Sequence, residues 1–173
     1  MANPEVNLRE ELIFILNQAA ELEHSLTCSY LFTARSLKDG VEDGLPEAAV
    51  ETVRGWRGKL TAVAIDEMMH LAIVNSLLVA VGAAPNFDRP NFPHECEYFM
   101  PDLEINLQPF SEDTIRHFIA VEQPLGGDIV SPYAPSVQKN VGGDLDNEIG
   151  AEPYILESQG DLYGLIADGL RNL

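Results

Sequence analysis

Cysteine is scarce: Cys28 and Cys96 are the only two among 173 residues, and they form no C-x-x-C pair. A disulfide scaffold and a cysteine-built zinc site are thereby excluded, and one isolated bridge is the most that thiol pairing allows. Basic residues are few as well, 10 Lys and Arg against 28 Asp and Glu, for a formal net charge of −18. Such a field repels phosphate backbones and anionic headgroups, which argues against nucleic acid and membrane partners and leaves cations compatible. No glycine-rich phosphate loop, G-x-S-x-G or H-E-x-x-H motif occurs. The opening MANPEVNLREELIF lacks the basic start and apolar run of a signal peptide, so a cytoplasmic protein is expected. With 46% hydrophobic residues, the chain is expected to form a single domain over residues 1–173 around a real core.

The periodicities are helical. A first helix is expected from about Leu8 to Lys38, with a seam of Leu12, Leu16, Ala19, Glu23, Leu26 and Tyr30 stepping by four and three. KDGVEDGLP forms a turn, and Pro46 opens a second helix that runs to Val81 and stops at Gly82. The second half of that helix is apolar on nearly all sides, which predicts neighbours all round it, and Gly55 and Gly58 are points where it could bend. Its length suits a membrane span, but Asp66, Glu67 and His70 near the centre of the run argue against insertion. Five prolines between Ala83 and Pro109 predict an extended crossover with at most a short strand. A third helix follows from Ser111 to Glu122, then a Gly/Pro-rich loop, then a last helix from near Ser158 to the end.

Chemistry concentrates where acids interrupt apolar seams. Along Leu60, Val63, Glu67, His70, Val74, Leu77 and Val81 only Glu67 and His70 are polar, three residues apart and so on one helix face. An unpaired charge in such a position costs several kcal/mol, roughly, or is neutralised. A bound cation removes the difficulty, because carboxylate and imidazole are ligands for iron, manganese or zinc. A buried Glu–His hydrogen-bonded pair is the plainer alternative. In the first helix the E-x-x-H of Glu21 and His24 lies off the seam, whereas Glu23 lies on it. Counting about 21 residues from Glu23 to the turn and about 23 back to Glu67, at roughly 1.5 Å each, the two acids fall at one level of an antiparallel pair. Glu122 continues the stripe of Ile115, Phe118 and Ile119 and is a third candidate acid. Asp161 reads first as part of a capping box with Ser158 and second as a ligand. His94 and His117 are expected at the surface or in packing, and Tyr30 is placed to donate a hydrogen bond to a ligand.

The segments ELEHSLTCSYLFTA, DEMMHLAIVNSLLVAVGAAP, LQPF, FIAVEQP and SQGDLYGLIADGL, in that order over Leu12–Leu170, resemble the ferritin-like family that includes the iminophenyl-pyruvate dimer synthases of bisindole pigment biosynthesis. The resemblance implies an all-α ferritin-like bundle, bound iron, and oxidative coupling of amino-acid-derived imines. It supports Glu23, Glu67 and His70 as the catalytic and metal-holding set and adds Glu122; at Asp161 the family often carries a glutamate. It also implies a further helix with an acid-rich motif and a histidine beyond Leu173, supplied by the rest of a longer domain or by another subunit, the alternative being an incomplete metal site. The expectation is therefore a non-haem iron oxidoreductase acting on a small molecule, with manganese or zinc as alternative metals, in a homo-oligomer. A non-catalytic helical assembly module, with or without metal, is the alternative, and iron storage a weaker one because nothing suggests a cage-forming surface.

Overall fold

A computed structural model describes residues 9–96, 104–122 and 159–173. Two long helices dominate, α1 (Arg9–Ser36) and α2 (Glu47–Ala80). They run antiparallel, because Arg9 Nε donates to the Val81 carbonyl at one end while Arg57 reaches the Ala34 and Leu37 carbonyls at the other. Arg57 thus covers carbonyls that the end of α1 leaves unpaired, with a charge of the sign that the helix dipole favours there. Between the helices, a 3₁₀ turn at Val41–Asp43 closes on Gly44, whose φ of 85° is the left-handed conformation that glycine adopts without penalty. Pro46 caps α2 one residue outside it, and Gly82 with φ 80° ends it. Gly55 and Gly58 lie within this one unbroken helix.

The seam of α1 is as expected: Leu12, Leu16, Ala19, Glu23, Leu26 and Tyr30 are all buried. That of α2 is not. The buried line runs through Leu60, Ala64, Glu67, Leu71, Val74, Asn75 and Leu78, so Val63, His70, Leu77 and Val81 flank the core. Ile65, Met68, Met69, Ile73 and Val79 are exposed, which overturns the expectation of neighbours all round. By length and composition α2 could cross a membrane, but it packs as a bundle helix, with Glu67 and Asn75 both on its buried line.

After Gly82 the chain crosses over in extended form, with a two-residue antiparallel pair, β1 (His94–Glu95) and β2 (Glu104–Ile105). Asn75 fastens the start of this crossover: its Nδ2 donates to the Asn86 carbonyl at 3.0 Å and its Oδ1 accepts from the Asn86 N–H at 2.5 Å. Hydroxyls on α1 fasten the rest. Ser25 Oγ pairs with His94 Nδ1 at 2.7 Å, Ser29 Oγ donates to the Asn106 carbonyl at 2.8 Å, and Thr33 Oγ1 donates to the Gln108 carbonyl at 2.7 Å. The Phe110 N–H closes the series on Ser36 Oγ at 2.7 Å. Spaced by four, four and three, these four side chains share one face of α1. Cys28 and Cys96 are unbridged.

Helix α3 (Glu112–Val121) starts as its sequence predicts, with Ser111 Oγ accepting from the Thr114 N–H at 3.0 Å. Its buried face is Thr114, His117, Phe118 and Val121; Ile119 is exposed and Ile115 half-buried, so the expected stripe is rotated toward His117. Helix α4 (Gln159–Arg171) packs on α1 through Leu162, Leu165, Ile166 and Gly169. The Gly/Pro-rich loop and Ser158 of the expected capping box lie outside the described residues.

Candidate metal centre

Halfway along the α1–α2 pair the two seam acids meet. Glu23 is 0% and Glu67 2% exposed, and the His70 side chain, 46% exposed, leans over both from the flank of α2. His70 Nδ1 lies 3.3 Å from Glu67 Oε2 and 3.5 Å from Glu23 Oε2. Ligand atoms of all three lie within 4.8 Å of one another. The placement of His70 beside the buried line serves the site: a histidine on the flank touches the buried acids and also faces solvent.

Two carboxylates this close and this deep cannot both stay ionised without a cation; without one, the pair favours a shared proton. Burial above all, then the neighbouring Glu23 carboxyl, pushes Glu67 up to about 8, while the His70 contact draws it the other way. Burial raises Glu23 as well, against hydrogen bonds from Glu67, Tyr163 and Gln159 that lower it. In the metal-free protein both acids are therefore biased toward their protonated forms. With both acids ionised, Glu23 Oε2 is a buried acceptor with no hydrogen-bond donor. That orphaned oxygen, turned toward His70 and Glu67, is what a divalent cation would satisfy, and two carboxylates with one imidazole suit iron, manganese or zinc. The residues present fit a metal ion.

Helix α4 supplies partners that the seams did not indicate. Tyr163 donates its hydroxyl to Glu23 Oε1, and Gln159 Nε2 donates to the same oxygen at 3.3 Å. Burial, with Glu23 alongside, holds the Tyr163 phenol above its ordinary pKa, so it acts as a donor. Gln159 was discoverable: it is the polar member of a buried stripe with Leu162 and Ile166, the same signal that marked Glu23. Tyr30 does donate to a candidate acid, Glu122 Oε1 at 2.8 Å, while its ring stacks on Phe118. Glu122 stands at the C-cap of α3, across a cleft of about 440 Å³ that opens beside the centre and is lined also by His70, Ile73, Val74, Gln159 and Tyr163. Neither Glu122 nor Asp161, on the first turn of α4, belongs to the converging group. His117 is buried at 3% in the α3 interface, and His94 pairs with Ser25, so both serve packing.

Residues 16–173 match the ferritin-like family model. The chain belongs to the ferritin-like family. It is 28% identical over 185 residues to dichlorochromopyrrolate synthase of Lentzea aerocolonigenes, covering 97% of this chain and 17% of that protein. It is 29% identical over 136 residues to 2-imino-3-(indol-3-yl)propanoate dimerase of Chromobacterium violaceum, covering 69% of this chain and 14% of that protein. The chain thus spans about a sixth of the length of these curated relatives. No solved structure matches it significantly.

Proposed function

We propose that this ferritin-like chain forms the iron centre of an oxidative biosynthetic enzyme, with Glu23, Glu67 and His70 as the metal-holding and catalytic set. The observation that carries the reading is the convergence of two buried carboxylates and a half-exposed imidazole, with one carboxylate oxygen left without a donor. Bound iron would supply redox chemistry with dioxygen or peroxide as oxidant. The substrate class follows the relatives, one of them named as a dimerase of an indolyl imine: an amino-acid-derived imine, two molecules of which couple. Forming one bond between them removes two electrons and two protons, which reduce dioxygen to peroxide or peroxide to water.

The chain's own residues serve this reaction in definable ways. Ile73 and Val74 give the cleft an apolar wall that excludes water from one side of a flat substrate. His70, half in solvent, stands between that cleft and the buried acids. Glu122 and Asp161 remain further candidate ligands, and a cytoplasmic setting belongs to the same proposal. Metal analysis after aerobic loading with ferrous iron tests it: about one equivalent or more is expected, lost in Glu67→Leu. Uptake below roughly a tenth of an equivalent, for iron and for manganese and zinc, would sink the reading.

The exposed Ile65, Met68, Met69 and Ile73 favour a second reading, a non-catalytic helical module that assembles with a second copy of itself, with or without bound metal. Sedimentation velocity separates the two readings, since a strict monomer with full metal occupancy would leave only the first.

A further inference from the structure

Helix α4 treats the two oxygens of Glu23 differently. Both of its donors, Tyr163 Oη and Gln159 Nε2, converge on Oε1, and Oε2, equally buried, receives none. Were α4 there only to satisfy a buried acid, dividing the two donors between the two oxygens would cover both even with Glu67 ionised. Concentrating them on Oε1 fixes the rotation of the carboxylate and turns Oε2 toward His70 Nδ1, 3.5 Å away, and toward Glu67. The donors stand four residues apart, one turn of a single helix, so both are delivered together when α4 docks on α1 through Leu162, Leu165 and Ile166.

The geometry points to Tyr163 and Gln159 as a positioning clamp that reserves Glu23 Oε2 for a divalent cation and makes the docking of α4 a condition for assembling the centre. This rests on the metal reading above and adds to it which oxygen of Glu23 faces the ion and which residues decide that. Neither Tyr163 nor Gln159 touches the ion. Tyr30 gives the contrast: its single bond reaches Glu122, a solvent-exposed acid outside the converging group, and carries no such selection.

Cobalt(II) titration of the metal-free chain, followed by calorimetry and by visible absorption, tests the clamp. In Tyr163→Phe the affinity for cobalt is expected to fall roughly 10- to 100-fold, the range for losing a group that orients a ligand. The ligand-field bands should also shift in position or intensity, because a released carboxylate changes its mode of binding. Gln159→Leu should move both readouts in the same direction and less far, and it decides the matter if Tyr163→Phe does not fold. Variants that bind cobalt with unchanged affinity and spectrum, and only unfold at a lower temperature without metal, overturn the clamp and leave the metal reading standing. Failure of the unaltered chain to bind cobalt overturns both.

Discussion

Glu67 and Glu23 make the metal-free protein sensitive to pH in a direction opposite to the common one for buried acids in ion pairs. Both are held above the unfolded value for a carboxyl: Glu67 at about 8, by burial first and then by Glu23, and Glu23 by burial, against hydrogen bonds from Glu67, Tyr163 and Gln159. The folded state then keeps protons that the unfolded chain has released, so their contribution to stability is complete below about pH 4.5 and is lost as pH rises toward 8. His117, pushed down to about 4 by burial, acts the other way, but only below about pH 6.5. Urea unfolding with chelator should therefore show stability falling between pH 6.5 and 8, by at most about 1.4 kcal/mol per pH unit for one proton. Saturating metal should abolish the fall, because the ion takes the proton's place. Glu67→Leu should remove the same slope and, at pH 8 with chelator, raise stability by about 1 kcal/mol or more, since a packed leucine replaces an uncompensated buried charge. No fall with pH in the chelated protein would show that the two acids are not coupled.

The helices were legible to different depths, and each misreading has a physical cause. The bounds of α1 and the caps of α2 and α3 were visible because glycine, proline and serine act locally. Ser111→Ala should accordingly lower stability by about 1 kcal/mol in thermal or urea unfolding. The meeting of Glu23 with Glu67 was visible because each acid interrupts an apolar line. The face of α2 was not, because its second half is apolar all round and such a run fits several seams equally well. The buried line passes one residue after Val63, His70 and Leu77, through Ala64, Leu71 and Leu78. Tyr163 was invisible for another reason: its role depends on where α4 docks, which no local pattern encodes. The same holds for Asn75, 4% exposed and bonded twice to Asn86. Asn75→Ala should cost about 1 kcal/mol, since it strands partly buried backbone groups of the crossover. Faster hydrogen exchange at Asn86 would locate that loss.

A net charge of −18 on so short a chain makes the molecule repel itself and draw cations weakly over its whole surface. Uptake at the centre should thus persist in 0.3 M salt, where diffuse binding is screened, and metal analysis should be read at that ionic strength. The charge also opposes association through the apolar strip of Ile65, Met68, Met69 and Ile73. If a second copy covers that strip, sedimentation velocity should show assembly strengthening with salt, and Ile65→Glu should abolish it.

Ser29, Thr33 and Ser36 on α1 grip the crossover by its main chain, whereas Ser25 meets the His94 ring. Ser29 and Thr33 address the carbonyls of Asn106 and Gln108, atoms that every residue type possesses. Attachment is thereby separated from the identity of the attached side chains. Gln108→Ala should change stability by less than about 0.5 kcal/mol, whereas Thr33→Val should cost about 1 kcal/mol or more, both measured by urea unfolding. In evolutionary terms, the gripping residues are the constrained partners and the gripped segment is free to drift. Positions 106 and 108 can change while Ser29, Thr33 and Ser36 are kept, and a library randomised at 106 and 108 should stay folded.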